Sequence, residues 1–174
     1  MELTSKYIHS VMVGKGFWQD VSERKITGEQ KILEQLLHMA IETMEWLSEN
    51  SVYDSSDESS EEKSLFELAD VLIVLMDLCG GVGIDVNLNQ IRAPVSLSQD
   101  CDALASVKNF LDATRKRGEF TQADVESLVS TVYCMYGKVL ILTYIEEKME
   151  RNIQRPPKYG KMSFKMRLKD ASEA

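Results

Sequence analysis

The segment LFELADVLIVLMDLC, residues 65–79, restricts the possible folds more than any other part of the chain. Between Asp70 and Asp77 every residue is apolar. At about 100° per residue such a helix is apolar all round, and a helix of that kind needs protein on every side. The rest of the chain must therefore supply its neighbours. With 174 residues and 44% hydrophobic content it can do so, and the length is that of one domain on a prior of about 150 residues per domain. Only three prolines occur, Pro94, Pro156 and Pro157, so long helices are open nearly everywhere. Strand alternation is scarce, and the apolar spacing is helical almost throughout. The fold class expected is all-α, a bundle of about four to six helices.

Local signals place the elements. A short helix fits residues 5–13 before Gly14 and Gly16. Thr27-Gly-Glu-Gln30 has the form of a capping box, opening a helix to about Asn50 with one apolar stripe of Leu33, Leu36, Leu37, Ala40, Met44 and Leu47. Residues 48–62, SENSVYDSSDESSEE, are Ser-rich and acidic and read as a mobile loop. Ser64-x-x-Glu67 is a second capping-box pattern, with a helix to about Cys79 before Gly80 and Gly81. Residues 97–117 predict another helix closed by Gly118. Thr121-x-x-Asp124 then opens a last helix running past Glu150 to the Arg155-Pro156-Pro157 stop. These signals describe a single domain over 1–160 and a loose tail over 161–174. No internal repeat is evident.

Charge and targeting signals exclude several function classes. With 28 acids against 20 bases, the formal charge of −8 argues against a coat for nucleic acid polymers or an anionic membrane. The start MELTSKYIHS has neither the basic nor the apolar region of a signal peptide. No stretch approaches the roughly 18 apolar residues of a membrane helix, since Asp77 and Thr143 interrupt the longest runs. Cys79, Cys101 and Cys134 form no CxxC pair and are odd in number, as for reduced, buried thiols. A cytoplasmic protein with no membrane partner is expected.

Several acids occupy unexpected positions. Helical phase puts Glu42 and Glu45 on one side of their helix with His38 and Glu49, roughly opposite the apolar stripe. A solvated face explains that arrangement on its own. In the following helix, however, Glu67, Asp70 and Asp77 project from one side of an otherwise apolar segment. A carboxylate removed from water costs several kcal/mol unless paired or metal-bound, and the neighbouring Lys63 cannot neutralise three of them. Either this side reaches solvent or a cation sits against it. Glu67 also suits the capping-box position; Asp70 and Asp77 have no such explanation. Two i,i+3 acid pairs on helices joined by a loop can form an oxygen cage for a hard cation, Mg²⁺ or Mn²⁺. A ferritin-like di-iron site would want two Glu-x-x-His motifs, which the chain lacks, and His38 reads as a surface or outer residue.

Glu42-x-x-Glu45, 21 intervening residues, and Glu67-x-x-Asp70 within ELADVLIVLMDL together resemble the signature of the all-α nucleoside triphosphate pyrophosphohydrolases. That superfamily includes MazG-like proteins, dimeric dUTPases and phosphoribosyl-ATP pyrophosphohydrolases. Lys148-x-x-x-Asn152-x-x-Arg155 is similar to the Lys/Asn/Arg segment of the family's last helix. The resemblance covers roughly residues 28–83 and 144–160.

The resemblance implies that Glu42, Glu45, Glu67 and Asp70 hold Mg²⁺, with Mn²⁺ as a substitute, against the substrate's phosphates. Glu45 would orient or deprotonate the attacking water, and Lys148, Asn152 and Arg155 would bind the substrate. The products would be a nucleoside monophosphate and pyrophosphate. It further implies a homodimer or higher homo-oligomer. Trp18, Trp46 and Tyr144 can stack on a base or simply pack in the core, and Asp77 is an outer acid or a salt-bridge partner. The chain departs from compact MazG-like members after Gly83-Ile84-Asp85, where residues 86–143 provide a helical insertion and the start of the last helix. That extension is more like the larger, dimeric members.

Overall fold

The computed structural model describes residues 2–18, 28–51, 58–93 and 101–156. Among them are six helices and no strand: α1 (Ser5–Gly14), α2 (Gly28–Ser51), α3 (Glu58–Gly81), α4 (Ala103–Arg117), α5 (Gln122–Tyr136) and α6 (Lys138–Gln154). The architecture is the all-α bundle expected. Helix α3 is its axis. Every residue from Val71 to Cys79 is buried, enclosed by α2, α1 and α6. Leu36, Met39 and Trp46 come from α2, Ile8 and Met12 from α1, and Ile141, Ile145 and Met149 from α6. Each fully buried aliphatic side chain contributes roughly 2 kcal/mol. Helices α4 and α5 pair with each other, α5 contacts α6, and α4 also touches α2.

The 24-residue helices α2 and α3 each span about 36 Å at 1.5 Å per residue. A connection of six residues reaches roughly 25 Å at most, so the two must run antiparallel. That arrangement brings Glu42, nine residues before the end of α2, beside Glu67, nine residues after the start of α3. The N-terminus is secured separately. Ser5 N–H donates to the Val86 carbonyl at 2.8 Å, Leu88 N–H to that of Leu3 at 3.0 Å, and Leu3 N–H to Asn89 Oδ1 at 2.8 Å.

Helix ends follow the cap chemistry in most places. Thr4 caps α1, Asp102 caps α4, and Gly118 closes α4 with φ 73°. The Thr121/Asp124 capping box is present in full. Helix α2 is described from Gly28; Thr27, which opens the capping box expected at 27–30, lies outside the described residues.

Several expectations are corrected. The mobile loop expected over 48–62 is helix at both ends, in α2 to Ser51 and in α3 from Glu58, and residues 52–57 lie outside the described residues. Ser64 is consequently inside α3, six residues past Glu58, and not at its N-cap. That helix precedes Ser64 has a cause: Glu61 and Glu62 form helix readily and favour the positive N-terminal end of the macrodipole. The helix expected over 97–117 starts at Ala103, and residues 94–100 lie outside the described set, as does the tail over 161–174. The single last helix is two. Gly137, at φ 86° and ψ 128°, breaks it, and the chain bends by 108° between α5 and α6. A backbone of that geometry admits glycine and little else. No single helix among the described residues is long and apolar enough to cross a membrane.

The apolar stripe of α2 is corrected too. Its buried positions are Lys31, Gln35, Leu36, Met39, Thr43 and Trp46, while Leu33, Leu37, Ile41 and Met44 are exposed. Leu37 and Met44 reach 63% and 66%. Two adjacent faces carry apolar residues, and contact with α3 selected the one containing Trp46. The thiols are likewise only partly as expected. Cys79 is buried, with burial pushing its pKa up to about 12. Cys101 and Cys134 are half-buried and within hydrogen-bonding reach of each other, alongside the Ala103 N–H to Met135 Sδ contact of 2.8 Å.

Candidate metal centre

The antiparallel α2–α3 pair brings three carboxylates together. One oxygen from each of Glu42, Glu67 and Asp70 lies within 4.8 Å of the others, and all three residues are half-buried. Glu67 and Asp70 are successive on one side of α3, and Glu42 faces them from the edge of the buried side of α2. Contrary to the sequence reading, Glu42 is therefore not opposite the face that packs. His38 Nε2 lies 3.0 Å from Glu42 Oε1, which suits an outer residue steadying that carboxylate.

Glu45 stands apart. It is exposed and is not in the group of three, although its charge is near enough to raise the pKa of Glu67. Helix rotation explains this: one turn beyond Glu42, the side chain has turned toward solvent.

The cation set against these acids comes from α6, and it is Lys148, expected from the resemblance to bind substrate. Lys148 Nζ binds Asp70 Oδ2 directly and lies 3.8 Å from Glu67 Oε1, with its side chain only 14% exposed. It also sits 5.5 Å from the centre of the Phe66 ring, over which the Arg151 guanidinium packs at 4.4 Å. Such cation–π contacts hold positive charge at the rim of the acid group. Phe66 and Tyr144 meet edge to face at 4.8 Å, so Tyr144 is part of that rim.

One ammonium does not balance the site. Burial holds the Glu67 carboxyl above its usual range; Lys148 pulls it down, while Asp70, Glu42 and Glu45 push it up. For Asp70 burial again leads, opposed by the charge and hydrogen bond of Lys148. In both carboxyls the cost of burial outweighs the relief that Lys148 gives, and the neighbouring acids add to it. The donor set, three carboxylate oxygens at the margin of water, fits a hard divalent cation.

Asn152 and Arg155 continue from Lys148 along α6. Arg155 donates to Asn152 Oδ1 at 3.3 Å, and its charge lowers the pKa of Asp70. The helix stops at Gln154, with Arg155 already extended, so the expected helical phase holds for Lys148 and Asn152 only. Lys15 fixes this end by donating to the carbonyls of Ile153 and Arg155.

Both tryptophans are committed elsewhere. Trp46 is 1% exposed and meets Tyr136 edge to face; as a core residue it has no face for a base, which corrects the stacking expectation. Trp18 donates its indole N–H to Asp77 at 2.8 and 2.9 Å, lies against Gly81, and carries Lys31 Nζ 4.0 Å from its ring centre. Asp77 is 2% exposed, with His9 Nδ1 at 2.7 Å. Burial raises its pKa and the two hydrogen bonds lower it. Asp77 is thus held by Trp18 and His9, two helical turns from Asp70. His9 was the residue sequence reasoning missed; 68 positions separate it from Asp77, and no local signal connects them.

A polar cleft of about 800 Å³ lies apart from these acids, lined by Asp85, Asn87, Arg92, Gln122, Glu126 and Ser130 among others. No family model, curated protein or solved structure significantly matches the chain.

Proposed function

We propose that this protein is a Mg²⁺-dependent nucleotide pyrophosphohydrolase, cleaving a (deoxy)nucleoside triphosphate to the monophosphate and pyrophosphate. The observation that carries this reading is the meeting of Glu42, Glu67 and Asp70 within 4.8 Å, beside a lysine and an arginine from α6. It rests also on the resemblance of those residues, in that order, to the all-α pyrophosphohydrolases. Phosphoribosyl-ATP is a narrower substrate choice within the same chemistry.

Glu42, Glu67 and Asp70 would hold the cation, with Mn²⁺ as a substitute for Mg²⁺. The metal would supply charge neutralisation for the phosphates and a more acidic bound water. Glu45, close to the group yet exposed, is free to orient or deprotonate that water. Arg155 suits bidentate contact with phosphate oxygens, Lys148 a point contact, and Asn152 a sugar or phosphate oxygen. Half-burial of the acids strengthens each of these charges relative to water.

Purified protein is incubated with a nucleotide panel and Mg²⁺, and pyrophosphate release is measured. Release from at least one substrate, reduced at least about a hundredfold by Glu45→Gln and Asp70→Asn, is expected. Folded protein that releases none, or variants as active as the parent, would refute the reading.

The exposed row Leu33, Leu37, Ile41 and Met44 favours association as well. A homodimer covering that row accompanies the enzyme reading. In a second reading the same surface is the whole function, that of a non-catalytic helical interaction protein. Calorimetric absence of Mg²⁺ and Mn²⁺ binding, with and without nucleotide, would favour the second.

A further inference from the structure

We infer that Lys148 is an internal occupant of the acid group which an incoming divalent cation must displace, so that metal binding itself releases the lysine for phosphate. The inference rests on the proposed metal reading and assigns Lys148 two positions rather than one. Its ammonium contacts Asp70 and approaches Glu67 at 3.8 Å. These are two of the three carboxylates that would bind the cation.

A compact group of three carboxylates cannot accept a divalent ion and keep an ammonium on the same oxygens. Like charges at about 4 Å repel, and the repulsion grows as water is excluded. When the cation enters, the contact with Asp70 must break. The side chain does not then have to enter solvent unaided. Its ammonium is already 5.5 Å from the Phe66 ring centre, an aromatic face that stabilises a cation without a carboxylate, and its four-carbon stem has the rotatable bonds for a short shift.

Two consequences follow. The lysine keeps the acids tolerable in the metal-free protein and at the same time weakens cation binding, because its ion pair is lost on exchange. Conversely, the cation turns an acid-bound lysine into one available to an anion. Metal and phosphate therefore bind with positive coupling, and by linkage each strengthens the other equally. The site admits phosphate after metal, which guards a nucleotide from being held where it cannot react.

Two measurements test this on the full chain. In the first, Mn²⁺ alone is titrated into wild type, Lys148→Met and Lys148→Arg, with free Mn²⁺ read by electron paramagnetic resonance and folding checked by circular dichroism. The Met variant is expected to bind Mn²⁺ about tenfold more tightly than wild type, and the Arg variant, which keeps a cation, within about threefold of it. In the second, lysines are acetylated with and without saturating Mg²⁺ and mapped by mass spectrometry. Lys148 labelling rises several-fold with Mg²⁺, while the exposed Lys63 stays constant. Mn²⁺ binding by wild type that the Met variant does not improve, or Lys148 labelling indifferent to Mg²⁺, overturns the displacement and leaves the metal reading standing. A wild type that binds no Mn²⁺ overturns both.

Discussion

Replacing Asp77 with Ala separates the structural acids from the metal-binding ones. Asp77 is 2% exposed and accepts the Trp18 indole N–H at 2.8 and 2.9 Å and a contact from His9 Nδ1 at 2.7 Å. Each hydrogen bond to a charged acceptor contributes about 1.5–3 kcal/mol. Against that loss, the substitution removes a carboxylate whose burial is itself unfavourable, and both donors are partly exposed and can reach water. A net destabilisation of about 3 kcal/mol results, which in a protein of this size lowers Tm by about 6–12 °C. Thermal and urea unfolding followed by tryptophan fluorescence measure it. Trp18→Phe should lose about 1.5–3 kcal/mol, and the double variant less than the sum, because the two share one interaction. Mn²⁺ affinity should stay within about threefold of wild type, since Asp77 is two helical turns from Asp70. An Asp77→Ala protein that loses under about 1 kcal/mol would refute the reasoning. One that folds normally but loses Mn²⁺ binding tenfold would make Asp77 an outer acid of the metal site after all.

Three further outcomes are expected. Gly137→Ala meets no neighbouring atom within 4 Å, so its cost of about 1–3 kcal/mol in urea unfolding comes from the backbone conformation alone; an unchanged midpoint would contradict the break between α5 and α6. Burial and neighbouring acids raise the pKa of Glu67, so from about pH 4 up to its raised value the folded state holds more protons than the unfolded one, and stability falls as pH rises. In chelator, Glu67→Gln should therefore be more stable than wild type at pH 7, with the gain shrinking toward pH 4; a variant less stable at pH 7 would reverse the sign. Leu37→Glu with Met44→Glu should alter Tm by less than about 2 °C, both sites being exposed, yet shift a dimer toward monomer in sedimentation. A core-like loss of stability without change in mass would show that the row is covered within one chain.

Much of the fold was legible because its strongest signals are local. The all-round apolar run of α3, the Thr121/Asp124 box and Gly118 fix elements through neighbouring residues alone. The failures have a common physical origin in choices that distant partners make. Leu33, Leu36, Leu37 and Trp46 are all apolar, and only the position of α3 decides which of them faces inward. Gly137 was visible, but a glycine within a helical pattern is often tolerated; its positive φ is a property of the packed chain. At the site, the spacing of Glu42, Glu67 and Asp70 was readable because one hairpin contains all three. Lys148 was recognised as a phosphate contact, yet its bond to Asp70 crosses 78 residues and left no trace in the local sequence. The same holds for His9 and Asp77. For Trp46 both stacking and core packing stayed open, because a tryptophan beside an acid pattern looks the same whether it faces a ligand or the core; burial at 1% exposure decides for the core.

A crystal of the full chain grown with Mn²⁺ and measured for anomalous scattering tests the central claim most directly. The account predicts a peak between Glu42, Glu67 and Asp70, about 2.2 Å from a carboxylate oxygen of each, with Lys148 withdrawn from Asp70. Diffraction showing Lys148 still on Asp70 and no peak among the three acids would contradict it.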